Sequence, residues 1–263
     1  MAQREYMQQT VTRSAEIDRG LQTYMIKVYA LMAGAMIITG LVAYVVGMDY
    51  NAVVQQDRAN GGNIAGAPTT VLSPEIVLAM MSSPIKWVIM FAPLAFIFGF
   101  GAMINRMSAS TAQMVFWAFG AVMGLSIAWI FAVFTGVSIA KTFFVTAIAF
   151  GGLSIWGYTT KKDLSAMGTF LMMGVIGLIV ASVVNLFLES SAMSFAISAL
   201  GVLIFSGLTA YDTQNIKNTY LQARTMPGGE EYLEKGAIMG AVSLYINFIN
   251  MFMFLLQFLG DRE

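Results

Sequence analysis

The chain has 263 residues, 58% of them hydrophobic and only 11% charged, with zero formal net charge and a mean hydropathy of +0.73. A soluble domain carries roughly 25% charged residues, so this is the composition of a polytopic membrane protein, and the balanced charge gives no polybasic footprint for nucleic acid. The absence of cysteine and histidine excludes disulfides, thiolate metal sites and the Ser/His and Cys/His catalytic pairs.

Residues 1–24 are polar, contain Arg4, Glu5, Arg13, Glu16 and Asp18, and have no apolar core of the kind a signal peptide needs. They read as a tail ahead of one transmembrane domain over 25–260. Uncharged runs follow at 28–48, 87–105, 107–140, 142–160, 164–188, 190–211 and 236–260, and a crossing helix needs about 20 mostly apolar residues. Within 107–140, TGVS at 135–138 marks a turn. The third span is therefore placed near 112–134 and the fourth from about 138, with Lys141 snorkelling to the surface. The predicted fold is all-α with seven spans.

Two connections exceed a simple turn. In the loop 49–84, Ser73-Pro74-Glu75 looks like an N-cap, an N1 proline and a first-turn acid opening a short helix. In the loop 213–235, Pro227-Gly228-Gly229 breaks structure, and the glutamates that follow restart a helix into the last span. Lys and Arg set the orientation. Arg4, Arg13, Arg19, Lys27, Arg106, Lys161, Lys162, Lys217, Arg224 and Lys235 fall on one side, against Arg58, Lys86, Lys141 and Arg262 on the other. This predicts a cytoplasmic N-terminus, an outer loop 49–84 and an inner loop 213–235. Small residues at packing spacing, Gly120 with Gly124 and Gly177 with Ala181, mark candidate helix contacts. The 21 methionines and 19 phenylalanines read as lipid-facing and core filler.

Polar residues inside the spans are the functional lead, because an ionisable group in the membrane is costly to keep. Ser206, Thr209, Asp212 and Asn215 recur every third residue in the sixth span, and Ser243, Asn247 and Asn250 recur in the seventh. Facing stripes of this kind satisfy one another by hydrogen bonding. Asp212 differs from its neighbours in that a carboxylate requires a cation, a proton or an ion. It either ends its helix at the membrane surface or lies within it.

The segment SGLTAYDTQNIK at 206–217 resembles the sixth-helix signature of the Bax inhibitor-1 family, also called transmembrane Bax inhibitor motif proteins. DRGLQTYMIKVYALMAG at 18–34, INRMSAST at 104–111 and SLYINFINMFMFLLQFLG at 243–260 resemble further elements of its bacterial branch. The resemblance implies a seven-helix bundle in the inner (plasma) membrane, with the last helix central and wrapped by the other six. It implies no cofactor. Two functions follow from it: a pH-sensitive leak with calcium as permeant ion, or a non-conducting stress and quality-control protein that binds a membrane-bound protease. In leak-competent relatives the sensor is a pair of aspartates. Asp212 matches the first, whereas the second position is Asn247. Two close carboxylates share a proton and titrate as a unit, which Asp with Asn cannot do. Calcium prefers several oxygen ligands with carboxylate charge, and this pair supplies only one such charge. Arg106, at the end of the second span, is expected to latch onto Asp212.

Catalysis is not expected. An intramembrane aspartyl protease pairs the aspartate of a YD sequence with that of a GxGD sequence; the nearest string here is Phe258-Leu259-Gly260-Asp261, which lacks the first glycine. No metal site is predicted, the bilayer is the expected surrounding, and nothing in the sequence sets an oligomeric state.

Overall fold

The computed structural model describes residues 2–226 and 229–262, without the side chains of residues 2–17 and residue 105. Arg4, Glu5, Arg13 and Glu16 of the tail, and Pro227 and Gly228 of the predicted break, therefore lie outside what is described. Eight α-helices follow in chain order: α1 (Ala2–Asn60), α2 (Pro74–Ser82), α3 (Ile85–Met103), α4 (Ala109–Ile127), α5 (Gly136–Thr159), α6 (Ser165–Leu188), α7 (Ser191–Ala223) and α8 (Gly229–Leu259). All but α2 are long and apolar enough to cross a membrane, giving the seven spans expected. Among the described residues there is no strand, only a single bridge between Phe134 and Arg262.

The last helix is the axis. In its most apolar stretch 61% of residues are buried, against 39% or less in every other span. A bundle in lipid can expose apolar side chains freely, so burial in protein marks position rather than hydrophobicity. α8 packs chiefly on α1, α4, α5 and α7. α3 packs mainly on α4, and α6 on α7, so the wrapping by six helices is in two shells rather than one.

Helix starts follow local chemistry. Ser108, Thr135 and Ser190 cap α4, α5 and α7, each side-chain oxygen accepting a backbone N–H three residues on. The turn expected at 135–138 is thus the α5 start, and α4 reaches it through a 3₁₀ turn over Ala128–Ala132. Ser73 occupies the N-cap of α2 with Pro74 at N1, as expected, but its side chain makes no capping bond.

Two loops are shorter than their predicted 49–84 and 213–235. α1 does not stop where charge begins at Asp49 but continues to Asn60. Tyr50 and Val53 are three residues apart and buried, and they pack with Val77, Met80, Ala128 and Ala132 in a small second core. Gly61 and Gly62, with φ of 61° and 100°, end the helix in the left-handed region that glycine tolerates. α7 likewise runs on to Ala223 because Ile216, Tyr220 and Ala223 form a buried stripe at helical spacing. The remaining part of the first loop is tied down by Asp49, only 1% exposed. One carboxylate oxygen accepts the Thr70 N–H at 2.6 Å and the Thr70 hydroxyl at 3.0 Å; the other accepts Val71 N–H at 3.0 Å and Leu72 N–H at 2.8 Å.

Small residues bring α1 and α4 together. A Cβ on Gly120 would lie 2.8 Å from the Ala35 carbonyl oxygen, and one on Gly124 would lie 2.6 Å from that of Thr39. Gly177 behaves differently from the sequence expectation, since nothing lies within 4 Å of its would-be Cβ. Gly177 is exposed, whereas Ala181 is half-buried against the main core, so the two do not form one close helix contact.

Candidate functional site

α7 and α8 make the most extensive helix pair in the molecule, and the polar site lies across it. Asp212 is eleven residues before the end of α7, about 16 Å from it at 1.5 Å per residue. It therefore sits inside a helix rather than at its terminus. Its carboxylate accepts a hydrogen bond from the Asn247 side-chain amide at 2.7 Å. Asn247 is 4% exposed, whereas Asp212 is half-buried. A charge-assisted bond of this length between neighbouring helices fixes their register. Thr209 and Thr213 flank Asp212, both fully buried, and each hydroxyl donates to a carbonyl of its own helix.

A second polar network centres on Tyr245, two residues before Asn247 in α8. The Tyr245 hydroxyl is 2.6 Å from Thr39 Oγ1, which is also 2.8 Å from the carbonyl oxygens of Ala35 and Gly120. Thr39 has one proton to donate, so the Tyr245 hydroxyl donates to Thr39 and Thr39 shares its proton between the two carbonyls. Phe116 and Phe119 meet the Tyr245 ring edge-on, with centroids 5.8 and 5.6 Å away. Tyr245 thus ties α8 to both α1 and α4.

A match to the family described as "Inhibitor of apoptosis-promoting Bax1" spans residues 21–263. The chain belongs to the Bax inhibitor-1 family. A protein of Caulobacter vibrioides is 45% identical to this Bax inhibitor-1 protein over 252 residues, covering 94% of this chain and 92% of its own. A Rickettsia prowazekii protein is 40% identical, covering 97% and 96%. "Inner membrane protein YbhL" of Escherichia coli strain K12 is 39% identical, covering 93% and 94%.

Within this family member the structure joins some predicted residues and separates others. Asp212 and Asn247 meet, as the facing stripes require. Arg106 does not reach them: it is exposed in the 3₁₀ turn after α3, and the ion pair found among the described residues is Lys235–Glu231, not Arg106–Asp212. The stripe on α7 also breaks up. Each step of three residues turns the helix by 300°, so Ser206 and Asn215 differ by half a turn. Ser206 bonds Met251 Sδ at 3.4 Å, whereas Asn215 is exposed. On α8, Asn250 donates to the Ile246 carbonyl of its own helix. Ser243 is half-buried and, among the described residues, makes no interhelical bond to the α7 polar residues.

Two polar fasteners on α7 were missed by the stripe pattern. The Gln214 amide accepts the Leu164 N–H at 2.9 Å and donates to the Lys162 carbonyl at 2.8 Å. Lys217 donates to the Tyr158 carbonyl at 2.9 Å with its Nζ 5.1 Å from the Tyr158 ring. The signal for both lies in the sequence, as a polar i, i+3 pair beyond Asp212, but the targets, the α5–α6 loop for Gln214 and the end of α5 for Lys217, do not. The remote acid Asp261 lies past the end of α8, about 21 Å along the axis from Asn247. There its carbonyl accepts the Thr135 N–H and its N–H donates to Ser138 Oγ. No two-aspartate site is assembled with Asp212. Among the described residues, no three acidic side chains converge as metal ligands would.

Proposed function

We propose that this protein is a slow cation leak of the inner membrane, with calcium as permeant ion and its N-terminus in the cytoplasm, latched by the Asp212–Asn247 hydrogen bond. The observation that carries this reading is the 2.7 Å bond itself. In it the Asp212 carboxylate bonds an amide from the axial helix, and among the described residues it makes no ion pair with a basic side chain. A carboxylate held by one neutral donor keeps capacity for further partners, and an intramembrane acid facing a bundle interior marks an ion pathway by default. Breaking the bond frees both Asp212 oxygens for a cation and loosens α7 from α8. The latch therefore runs through Asn247, not through Arg106.

A second reading is favoured by the packing along α8. Leu244, Tyr245 and Met251 are fully buried on either side of Asn247, which suits a rigid, non-conducting protein that acts by binding a membrane-bound protease. Calcium flux into liposomes containing purified protein, wild type against Asp212→Ala, separates the two. The leak reading predicts calcium entry that Asp212→Ala abolishes. Flux equal to that of empty liposomes for both, with the protease still co-purifying, establishes the second reading instead.

A further inference from the structure

α1 and α5 both pack on α8 but not extensively on each other, and between them runs a cleft of about 650 Å³. That volume is within the roughly 300–1,000 Å³ of small-molecule and cofactor sites. Its walls include Met25, Tyr29, Phe150 and Ile155, and its rim carries Asp18 and Arg19 with Tyr158 nearby. Both Asp18 and Arg19 are exposed, and Ile26 and Ile155 at the cleft edges are 60% and 67% exposed. The cleft is thus mostly apolar, open sideways to the surroundings of the bundle, and charged only at one end.

Among its polar side chains, the exposed Gln22 and the half-buried Tyr29 included, Ser154 is the buried one. Ser154 is 5% exposed, and its hydroxyl has no hydrogen-bond partner among the described residues. Other hydroxyls on the spans, including those of Thr146, Thr159 and Ser182, donate to a carbonyl of their own helix. Ser154 does not, so its proton remains for a group within the cleft. Ser154 is four residues from Tyr158 along α5, about 6 Å deeper than the rim.

The geometry points to a binding site for one zwitterionic aminophospholipid. Its phosphate sits on Arg19 and its ammonium on Asp18, a glycerol ester carbonyl accepts from Ser154, and an acyl chain lies along Tyr29, Phe150 and Ile155. Adjacent acid and base select this headgroup over an anionic one, which has no cation to place on Asp18. The site is separate from Asp212 and stands whichever reading of that residue is correct.

Native mass spectrometry of the full-length protein in detergent, with dioleoyl-phosphatidylethanolamine and dioleoyl-phosphatidylglycerol in equal amounts, tests it. One phosphatidylethanolamine per chain is retained in preference. Asp18→Lys and Arg19→Glu each lower that retention by about tenfold, the scale of one charge-assisted hydrogen bond. Gly151 lines the cleft and has nothing within 4 Å of its would-be Cβ, so Gly151→Phe fills the space and displaces the lipid. Because the two charge variants change exposed rim residues, they carry the test even where Gly151→Phe fails to fold. Equal retention of both lipids, or unchanged retention in the charge variants, overturns the site. Displacement by equimolar phosphorylethanolamine also overturns it, because a soluble headgroup is then the ligand.

Discussion

Asp49→Asn is expected to release the segment that joins α1 to α2. In the native protein each carboxylate oxygen accepts two donors from residues 70–72. An asparagine keeps one of those oxygens and turns the other into an NH₂ group. With the amide oxygen left on Thr70, the N–H groups of Val71 and Leu72 face a donor. A hydrogen bond to a charged group contributes roughly 1.5–3 kcal/mol, so losing two sets an upper bound of about 3–6 kcal/mol. Val71 is 64% exposed, and water replaces part of that loss once the segment lifts. The expected local cost is therefore about 2–3 kcal/mol, or roughly a 30- to 150-fold rise in the opening equilibrium. Amide hydrogen exchange read by mass spectrometry checks this on peptides covering 61–82, with the α7 core as internal reference. Exchange of 61–82 within twofold of wild type refutes the clamp.

Gly124→Ala forces a methyl against the α1 backbone and is expected to destabilise by about 1–3 kcal/mol, whereas Gly177→Ala, with open space around it, is neutral or stabilising by up to about 1 kcal/mol; thermal unfolding in detergent distinguishes them. Tyr245→Phe removes one of the bonds holding α8 to α1 and is expected to cost about 0.5–1.5 kcal/mol by the same assay, since Thr39 retains both carbonyl acceptors. Asn247→Asp places a second carboxylate within hydrogen-bond reach of Asp212, so the pair shares a proton and calcium flux into liposomes acquires a stronger acid dependence than that of wild type. A flux profile identical to that of wild type from neutral to acid pH rejects that coupling.

The span count was legible because long uncharged runs have few other uses in a sequence of this hydropathy. Helix ends were less so, for a physical reason seen twice. Charge at Asp49 and Asp212 marks where a chain becomes polar, not where its backbone stops being helical. Tyr50 with Val53, and Ile216 with Tyr220 and Ala223, carry the helices onward by burying one face at helical spacing. The Asp212–Asn247 pairing could be read from facing polar positions on neighbouring spans. Arg106 was misplaced because a shared membrane side says nothing of lateral distance around a bundle, and α3 stands on its periphery. The Thr39–Tyr245 contact joins residues 206 positions apart, and neither residue is unusual in its own helix. Only the assembled bundle shows that Gly120 leaves its carbonyl open to Thr39.

Calcium entry into liposomes carrying Asn247→Ala, compared with the double variant Asp212→Ala/Asn247→Ala, tests the latch most directly. The account predicts faster entry than wild type for Asn247→Ala, because the carboxylate is released. It predicts loss of that entry in the double variant, because the carboxylate is gone. Entry into Asn247→Ala liposomes no faster than into wild-type ones, or faster entry that persists without Asp212, contradicts it.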